Sequence, residues 1–270
     1  MAYPLIDIGA NLAHDSFDED RDAMMQRAAD AGVVSMIVTG SSEDSNRAAA
    51  KLARNSNGIL HSTAGVHPHH ASDYNDAVDQ QIRELCGDDV VVAVGECGLD
   101  YFRNFSPRDA QLNAFRRQLE IAKETQLPVF LHQRDAHDDF VEVLEEALPD
   151  LSRAVAHCFT GEHESLREYL AMGLYIGVTG WICDERRGLH LRDIVSLVPD
   201  DRLMIETDAP YLLPRTLRPK PKTRRNEPCY LPEVVRVVAE ARGQSEQHVA
   251  EITTANAQRF FGLTQVGSGV

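Results

Sequence analysis

Glu96 stands at the end of the apolar segment VVVAVG, which is an unusual position for a carboxylate. A carboxylate buried there is normally paired with a cation or bound to a metal ion. Other residues of metal-ligand type also end apolar segments, namely His67, His132, His157 and Asp208. Imidazoles combined with carboxylates are common ligands of a divalent cation that keeps a position open for water. A cation in such a site lowers the pKa of the water and prepares it for hydrolysis.

Each of these residues has a structural alternative when it is taken alone. A single histidine at a strand end is more often a structural residue than a ligand. Glu96 could form a salt bridge with Arg103 or Arg134, and Asp208 could cap a turn. Because ligand-type residues end several separate segments, their joint occurrence favours a metal site over these alternatives.

The elements that carry these residues are predicted from the apolar pattern. Eight segments rich in valine and isoleucine lack strict alternation, which is typical of strands buried on both faces. They are 4–9, 33–40, 61–67, 90–96, 127–132, 153–159, 174–180 and 202–207. Strands alternating with helices over this length predict an α/β fold of the (β/α)8 TIM-barrel type. A doubly wound sheet is the main alternative, but the sequence has neither a GxGxxG nor a P-loop motif.

Helical spacing of apolar residues fills the intervals between the predicted strands. The predicted helices are 17–32, 106–127, 135–148, 162–173 and 189–198, followed by two more over 231–243 and 245–262. In a barrel the carboxyl ends of all strands meet at one mouth, so the ligand-type residues are expected to cluster there. We expect a single domain over 1–263 and a disordered tail over 264–270.

Charge and cysteine content restrict the partners and the compartment. The formal net charge is −15, which disfavours non-specific coating of nucleic acids. A basic run between Arg215 and Arg225 is the local exception. It is either a solvated loop or a segment that binds a polyanion. Five scattered cysteines without a CxxC pair indicate reduced thiols and a cytoplasmic protein. We expect no signal peptide and no membrane span, and we expect His69 and His70 on the surface.

Seven motifs in strand order resemble one known family. They are GVHPH, GECGLDYFRNFS, LHQRDA, HCFTG, YIGVTGW, ETDAPYL and RRNEP, and the match runs from Asp7 to Phe261. The chain resembles the TatD family of metal-dependent deoxyribonucleases. The resemblance implies an amidohydrolase-like TIM barrel that cleaves DNA phosphodiester bonds as a 3′–5′ exonuclease on single strands, in DNA repair or degradation. It implies Mg²⁺ as cofactor, with Mn²⁺ or Zn²⁺ as alternatives.

The resemblance also implies roles for individual residues. Glu96, His132 and His157 resemble the metal ligands of the family. Asp208 resembles the catalytic carboxylate that binds a metal or takes a proton from the attacking water. His67 resembles a residue that contacts the scissile phosphate. Glu96, Asp208 and His67 are therefore the expected catalytic residues.

The first strand departs from the pattern of amidohydrolase-like relatives. Many of those relatives begin with Asp-x-His-x-His, whereas DIGANL places Gly9 and Asn11 at the histidine positions. Glycine has no side-chain ligand and an asparagine amide is a weak one, so the first metal site is expected to be altered. TatD proper has the same start, so the change does not imply loss of activity.

Arginines and lysines near the predicted mouth are the candidates for binding substrate phosphates. They are Arg134, Arg186, Arg187, Lys222, Arg224 and Arg225, together with His67. Tyr101, Phe102 and Trp181 could stack on unpaired bases or pack the barrel mouth. The expected partner is single-stranded DNA, or RNA, bound by a monomer. The alternatives are a metal-dependent hydrolase of a small amide, lactone or phosphoester, and a non-catalytic partner in protein export.

Overall fold

Parallel strands and helices alternate throughout the computed structural model, which describes residues 3–263. Within this range eight strands form one sheet in which each strand pairs with the next along the chain. They are β1 (Leu5–Ala10), β2 (Val33–Val38), β3 (Leu60–Ala64), β4 (Val91–Asp100), β5 (Val129–Arg134), β6 (Ala154–Ala156), β7 (Tyr175–Val178) and β8 (Leu203–Ile205). The predicted (β/α)8 barrel is confirmed, because a doubly wound sheet would have a reversed strand order.

The barrel is closed between its first and last strands by a few contacts. The Asp208 amide donates to the Gly9 carbonyl at 2.8 Å, and the Asn11 amide donates to the Ala209 carbonyl at 2.7 Å. Below these bonds, the backbone amide of Thr207 donates to the buried Asp7 carboxylate at 2.9 Å. Asp7 therefore links the first strand to the chain that follows β8, and its role is structural.

Helices occupy the outer layer of the barrel. In the described part of the chain they are α1 (Arg21–Asp30), α2 (Glu43–Arg54), α3 (Asp76–Leu85), α4 (Arg108–Thr125), α5 (His137–Ala147), α6 (His163–Ala171), α7 (Leu189–Ile194), α8 (Leu231–Arg242) and α9 (Glu246–Phe261). The apolar pattern predicted all of these except α2 and α3. The buried face of α2 carries only alanines and Asn46, and that of α3 carries only Val78, Asp79 and Ile82, so few large apolar residues mark these helices in the sequence.

Strand β4 is longer than predicted. The segment was expected to end at Glu96, whereas the strand continues to Asp100 and stays paired with β5. Gly95 and Gly98 have φ angles of +134° and +141°, a region that favours glycine. A Cβ at either position would overlap a backbone carbonyl oxygen of β5. The two glycines thus let β4 run close to β5 and carry Asp100 to the mouth.

Aromatic packing between helices α4, α5 and α6 stabilises this side of the barrel. The fully buried rings of Phe115 and Phe140 are stacked with centroids 5.6 Å apart, and Tyr169 packs against Phe140 at 5.5 Å. Phe140→Ala is expected to lower the free energy of unfolding by about 3–5 kcal/mol, because a large buried side chain leaves a cavity. Denaturant unfolding measures this change. Leu197→Ala, at a 45% exposed position, is the control and should change it by less than about 0.5 kcal/mol.

Other expectations bear on cellular context. Across residues 3–263, no helix combines the length and the apolar character needed to cross a membrane. The five cysteines are free thiols, and Cys97 and Cys183 are buried. The tail over 264–270, which was expected to be disordered, lies outside the described residues.

Candidate metal centre and active site

Glu96 lies at the centre of a cluster of imidazoles at the barrel mouth. Its Oε1 atom is 2.7 Å from His157 Nε2, 3.1 Å from His132 Nδ1 and 3.4 Å from His67 Nε2. The four side chains come from β4, β5 and the residues that directly follow β3 and β6. The ends of separate strands therefore bring together three predicted metal ligands and the predicted phosphate contact His67.

The cluster fits a divalent cation by its donor set. Ligand atoms of His67, Glu96 and His132 lie within 4.8 Å of one another, so one ion can contact all three. Glu96 and His67 are at most 9% exposed, and the burial of a carboxylate among imidazoles is typical of metal centres. Neither Arg103 nor Arg134 is an ion-pair partner of Glu96 in the described chain, so the predicted salt-bridge alternative is wrong.

Burial and neighbouring charges set the protonation states of the cluster. Burial opposes ionisation of Glu96, but the charges of His157 and His67 and the hydrogen bond to His132 hold its pKa well below its usual range. Burial places the pKa of His67 well below its usual value, and its Nδ1 atom accepts a hydrogen bond from the His69 backbone amide. For His157, burial is outweighed by Glu96 and Glu206, which raise its pKa well above the usual value. Glu96 is thus a carboxylate ready for a cation, which would displace a proton from His157 as it binds.

Asp100 supports this cluster through His132 and His69. It was not identified from the sequence. Its Oδ2 atom lies 3.4 Å from His132 Nε2 and 2.8 Å from His69 Nε2. The contact to His132 is long and lacks good hydrogen-bond geometry, so its attraction is mainly electrostatic. The expectation that His69 is a surface residue is wrong, because His69 packs against His67 with ring centroids 4.2 Å apart. His70 is exposed, as expected.

Glu206 holds the other side of the cluster. This carboxylate is fully buried, accepts a hydrogen bond from the Cys158 backbone amide and lies 3.3 Å from His157 Nδ1. A histidine ligand commonly directs its second nitrogen to a carboxylate, which fixes the orientation of the ring. His132 and His157 are therefore each flanked by Glu96 on one nitrogen and by a supporting carboxylate on the other.

Asp208 lies at the barrel mouth beside this cluster, and its carboxylate does not contact the imidazoles. Asn11 donates its amide to Asp208 Oδ1 at 3.0 Å, so Asn11 orients this carboxylate. Desolvation raises the pKa of Asp208 to about 7, helped by the charges of Glu96 and Glu206 and opposed by His157. A carboxylate of this kind can exchange a proton near neutral pH.

A cavity of about 650 Å³, here called the mouth cavity, opens above these groups. Glu96, His67, His132, His157 and Asp208 line it, together with Arg134, Trp181 and Arg187. Arginine side chains pack against aromatic rings in this part of the mouth cavity. The Arg134 guanidinium lies 3.8 Å from the centre of the Phe102 ring and 5.8 Å from that of Trp181, and Arg187 lies 4.3 Å from Trp181.

Comparison with known proteins identifies the family. The sequence model of TatD related DNases matches residues 6–262. The chain belongs to this family. A TatD-family relative from Rahnella sp. (strain Y9602), named 3′-5′ ssDNA/RNA exonuclease TatD, is 53% identical over 260 residues, covering 96% of this chain and 99% of its own length. A relative of the same name from Erwinia billingiae (strain Eb661) is 51% identical over 259 residues, with 96% and 99% coverage.

A solved TatD-family structure agrees with the fold. YjjV, a TatD homolog from Escherichia coli K12, superposes with a TM-score of 0.88 at 30% identity and covers 96% of this chain and 98% of its own. The resemblance deduced from the seven motifs is therefore confirmed. The TatD family consists of hydrolytic nucleases by name, and the imidazole–carboxylate cluster is the part of this chain that suits hydrolysis.

The geometry explains why this TatD-family chain has Gly9 in place of a histidine. A Cβ at position 9 would overlap Glu206 Oε2 and crowd the Phe130 ring. The space of the missing side chain is thus filled by Glu206, which supports His157. In the altered first strand, the Asn11 side chain faces Asp208 and Gly9 faces Glu206.

The predicted phosphate-binding residues of this TatD-family chain fall into three groups. Arg134 has no carboxylate partner within the described residues and faces the mouth cavity. Arg186 and Arg187 are paired with Asp184 but remain largely exposed. The last group lies in the basic run: Lys222 and Arg224 are exposed, whereas Arg225 is paired with Asp20 and Glu227.

Proposed function

We propose that this protein is a metal-dependent nuclease that hydrolyses phosphodiester bonds of single-stranded nucleic acid from the 3′ end. DNA is the main substrate and RNA the second, as in the names of the relatives from Rahnella and Erwinia. The observation that carries the proposal is the position of Arg134 beside the Glu96 cluster, between two aromatic rings. Cations and exposed rings beside a hydrolytic centre suit the phosphates and unpaired bases of a single strand.

Mg²⁺ is the proposed cofactor, with Mn²⁺ or Zn²⁺ as alternatives. Glu96, His132 and His157 would hold the ion, and His67 lies close enough to join them or to donate to a phosphate oxygen. When bound, a divalent cation polarises a phosphoryl oxygen and lowers the pKa of a coordinated water. Glu96 contributes the negative charge that the imidazoles lack, and Asp100 and Glu206 keep two of those rings in place.

Asp208 is the proposed general base. Its Oδ1 atom accepts the hydrogen bond from Asn11, which leaves Oδ2 to take a proton from the attacking water. With a pKa of about 7, Asp208 can accept this proton and release it to solvent at neutral pH. A bond to the scissile phosphorus then forms from the water oxygen as the bond to the leaving 3′-oxygen breaks.

Basic side chains around the mouth cavity supply positive charge for the substrate phosphates. We propose that Arg134, Arg186, Arg187, Lys222 and Arg224 bind substrate phosphates. Arg225 contributes less to this binding, because two carboxylates already compensate its charge. Phe102, which is 53% exposed, and Trp181 are the proposed stacking surfaces for bases.

Digestion of 5′-labelled single-stranded DNA tests the proposed function. Metal-stripped protein should be inactive, and Mg²⁺, Mn²⁺ or Zn²⁺ added singly should restore a ladder that shortens from the 3′ end. RNA of the same sequence measures the second substrate. Folded protein that binds metal but cleaves neither polymer would favour the alternative hydrolase of a small amide, lactone or phosphoester.

Arg134→Ala should weaken the binding of single strands. A charged hydrogen bond to phosphate contributes about 1.5–3 kcal/mol, so we expect kcat/KM to fall about 10- to 100-fold. The slope of log activity against log salt should become shallower by about one, since one phosphate contact is lost. Steady-state rates at several salt concentrations measure both effects. Arg47→Ala, on the outer helix α2, should leave rate and slope unchanged, and an equal effect there would contradict a local phosphate contact.

The cellular setting is proposed from the sequence. We infer a cytoplasmic monomer that acts in DNA repair or degradation. The five free thiols suit the reducing conditions of the cytoplasm. Sedimentation of the purified protein tests the oligomeric state.

A further inference from the structure

Two further cavities adjoin the mouth cavity. The first, here called the side cavity, has a volume of about 640 Å³ and shares Gln133, Arg134 and Thr160 with the mouth cavity. The second, here called the basic groove, has a volume of about 590 Å³ and shares Leu212 with it. Trp181 and Arg187 line all three. A strand whose scissile phosphate lies at Glu96 has both spaces next to it for its neighbouring nucleotides.

Six of the sixteen residues that line the basic groove are cations. They are Arg186, Arg187, Arg215, Arg218, Lys220 and Arg224. Its two carboxylates, Asp184 and Glu185, are both ion-paired with these arginines. Within residues 3–263, no carboxylate lies within ion-pair distance of Arg218, Lys220 or Arg224. The groove thus has unpaired positive charge for a chain that carries a phosphate on every nucleotide.

The side cavity differs from the basic groove in having unpaired carboxylates in its lining. Four carboxylates line it: Asp135, Asp138, Asp139 and Glu162. Asp139 accepts a hydrogen bond from the Tyr101 hydroxyl, and none of the four forms an ion pair within the described chain. Asp138 and Asp139 lie in the first turn of α5, where acidic residues also stabilise the helix. Three arginines line this cavity as well: Arg108, whose guanidinium lies over the Tyr101 ring at 4.1 Å, and Arg134 and Arg187, which also line the mouth cavity.

Resting on the proposed nuclease function, we propose that the side cavity binds the 3′-terminal nucleoside of the substrate and selects a free 3′-hydroxyl end. A phosphate that follows this nucleoside would meet unpaired carboxylates, whereas a hydroxyl can donate a hydrogen bond to them. The rest of the strand lies in the basic groove. The cavity volume falls in the range of about 300–1,000 Å³ that is usual for small-molecule sites.

The same charge arrangement accounts for exonuclease rather than endonuclease action. A strand that continued beyond the scissile phosphate would place its next phosphate against the Asp138 and Glu162 wall. The terminal nucleoside is the one unit of the strand that carries no phosphate on its 3′ side. Circular single-stranded DNA should therefore be a poor substrate.

Matched ends of one oligonucleotide test this proposal. Two 5′-labelled single strands of identical sequence carry either a 3′-hydroxyl or a 3′-phosphate, and the rates of loss of the terminal nucleotide are compared at low salt. The wild-type protein should prefer the hydroxyl end by about tenfold or more, because like charges are juxtaposed at the phosphate end. The double variant Asp138→Asn with Glu162→Gln should reduce this preference by about threefold or more.

A control pair and a binding measurement make the result specific. Glu142→Gln with Glu164→Gln removes exposed carboxylates from the same two helices outside the cavity and should leave the preference unchanged. Fluorescence anisotropy in EDTA measures the preference without cleavage. Equal cleavage and equal binding of the two ends, or an equal change in the control pair, would overturn the proposal. Absence of cleavage with the binding preference intact would contradict the proposed nuclease function and still support selection of the end.

Discussion

Glu96→Gln is expected to lower kcat/KM on single-stranded DNA by about 10³-fold or more and to weaken binding of the divalent ion. Oε1 of Glu96 is the single atom on which His67, His132 and His157 converge, so its charge holds the cluster together. Glutamine keeps the shape of the side chain and removes the charge. Losses of this size are usual when a central catalytic group is removed.

Initial rates and calorimetric titration with Mn²⁺ measure the two effects. Thermal unfolding of the metal-free protein shows whether the variant keeps its fold. Glu142→Gln, at an exposed position on α5, is the matched control and should behave as the wild-type protein does. Activity of Glu96→Gln within tenfold of the wild type would place the hydrolytic centre elsewhere.

The barrel and the centre of the site could be predicted because both depend on strand ends. Apolar segments of six to eight residues locate the strands. The topology then brings Glu96, His132 and His157 to one mouth without any knowledge of side-chain contacts. His67 and Asp208 lie beyond the regular part of their strands, at β3 and β8, and were found by the same rule.

The supporting carboxylates could not be predicted in the same way, because their role depends on which neighbour they face. Asp100 lies beyond the predicted end of its strand at Glu96, and Glu206 lies inside the predicted strand 202–207, where it has no mark of a supporting role. A signal was nevertheless present for Asp100, which is four residues after Glu96, so that a strand period of two places both on one face.

His69 was misjudged for a related reason. Both His69 and His70 in GVHPHH were expected on the surface, because the sequence does not show which neighbour each ring faces. Instead, the chain forms a 3-10 helix over Pro68–Asp73 that directs His69 towards Asp100 and His70 outwards. The direction of a side chain in such a turn depends on the long end of β4, which the sequence pattern did not reveal.

Glu206→Gln is expected to weaken metal binding and lower activity about 10- to 100-fold, without contact between Glu206 and the substrate. The carboxylate lies 3.3 Å from His157 Nδ1 and accepts a hydrogen bond from the Cys158 backbone amide. It therefore fixes the orientation of the His157 ring, whose Nε2 atom contacts Glu96. Glutamine presents an amide of the same shape but loses the negative charge that favours this orientation. Gly9→Ala should act in the same direction, because its Cβ would displace Glu206.

Metal affinity separates this positioning role from a general loss of stability. Titration of the metal-free variants with Mn²⁺ should give a weaker dissociation constant for Glu206→Gln and Gly9→Ala, and combining them should add little, since both act on the same carboxylate. Gly58→Ala is the control for a general loss of stability, because the φ of +83° at Gly58 strains any residue with a Cβ although that Cβ meets no atom within 4 Å. Gly58 precedes β3, whereas the mouth residue His67 follows it, so metal affinity should stay unchanged in this variant. Unchanged affinity in both variants, with activity lost through unfolding, would leave Glu206 a purely structural residue. Additive losses would mean that Gly9 acts on a group other than Glu206.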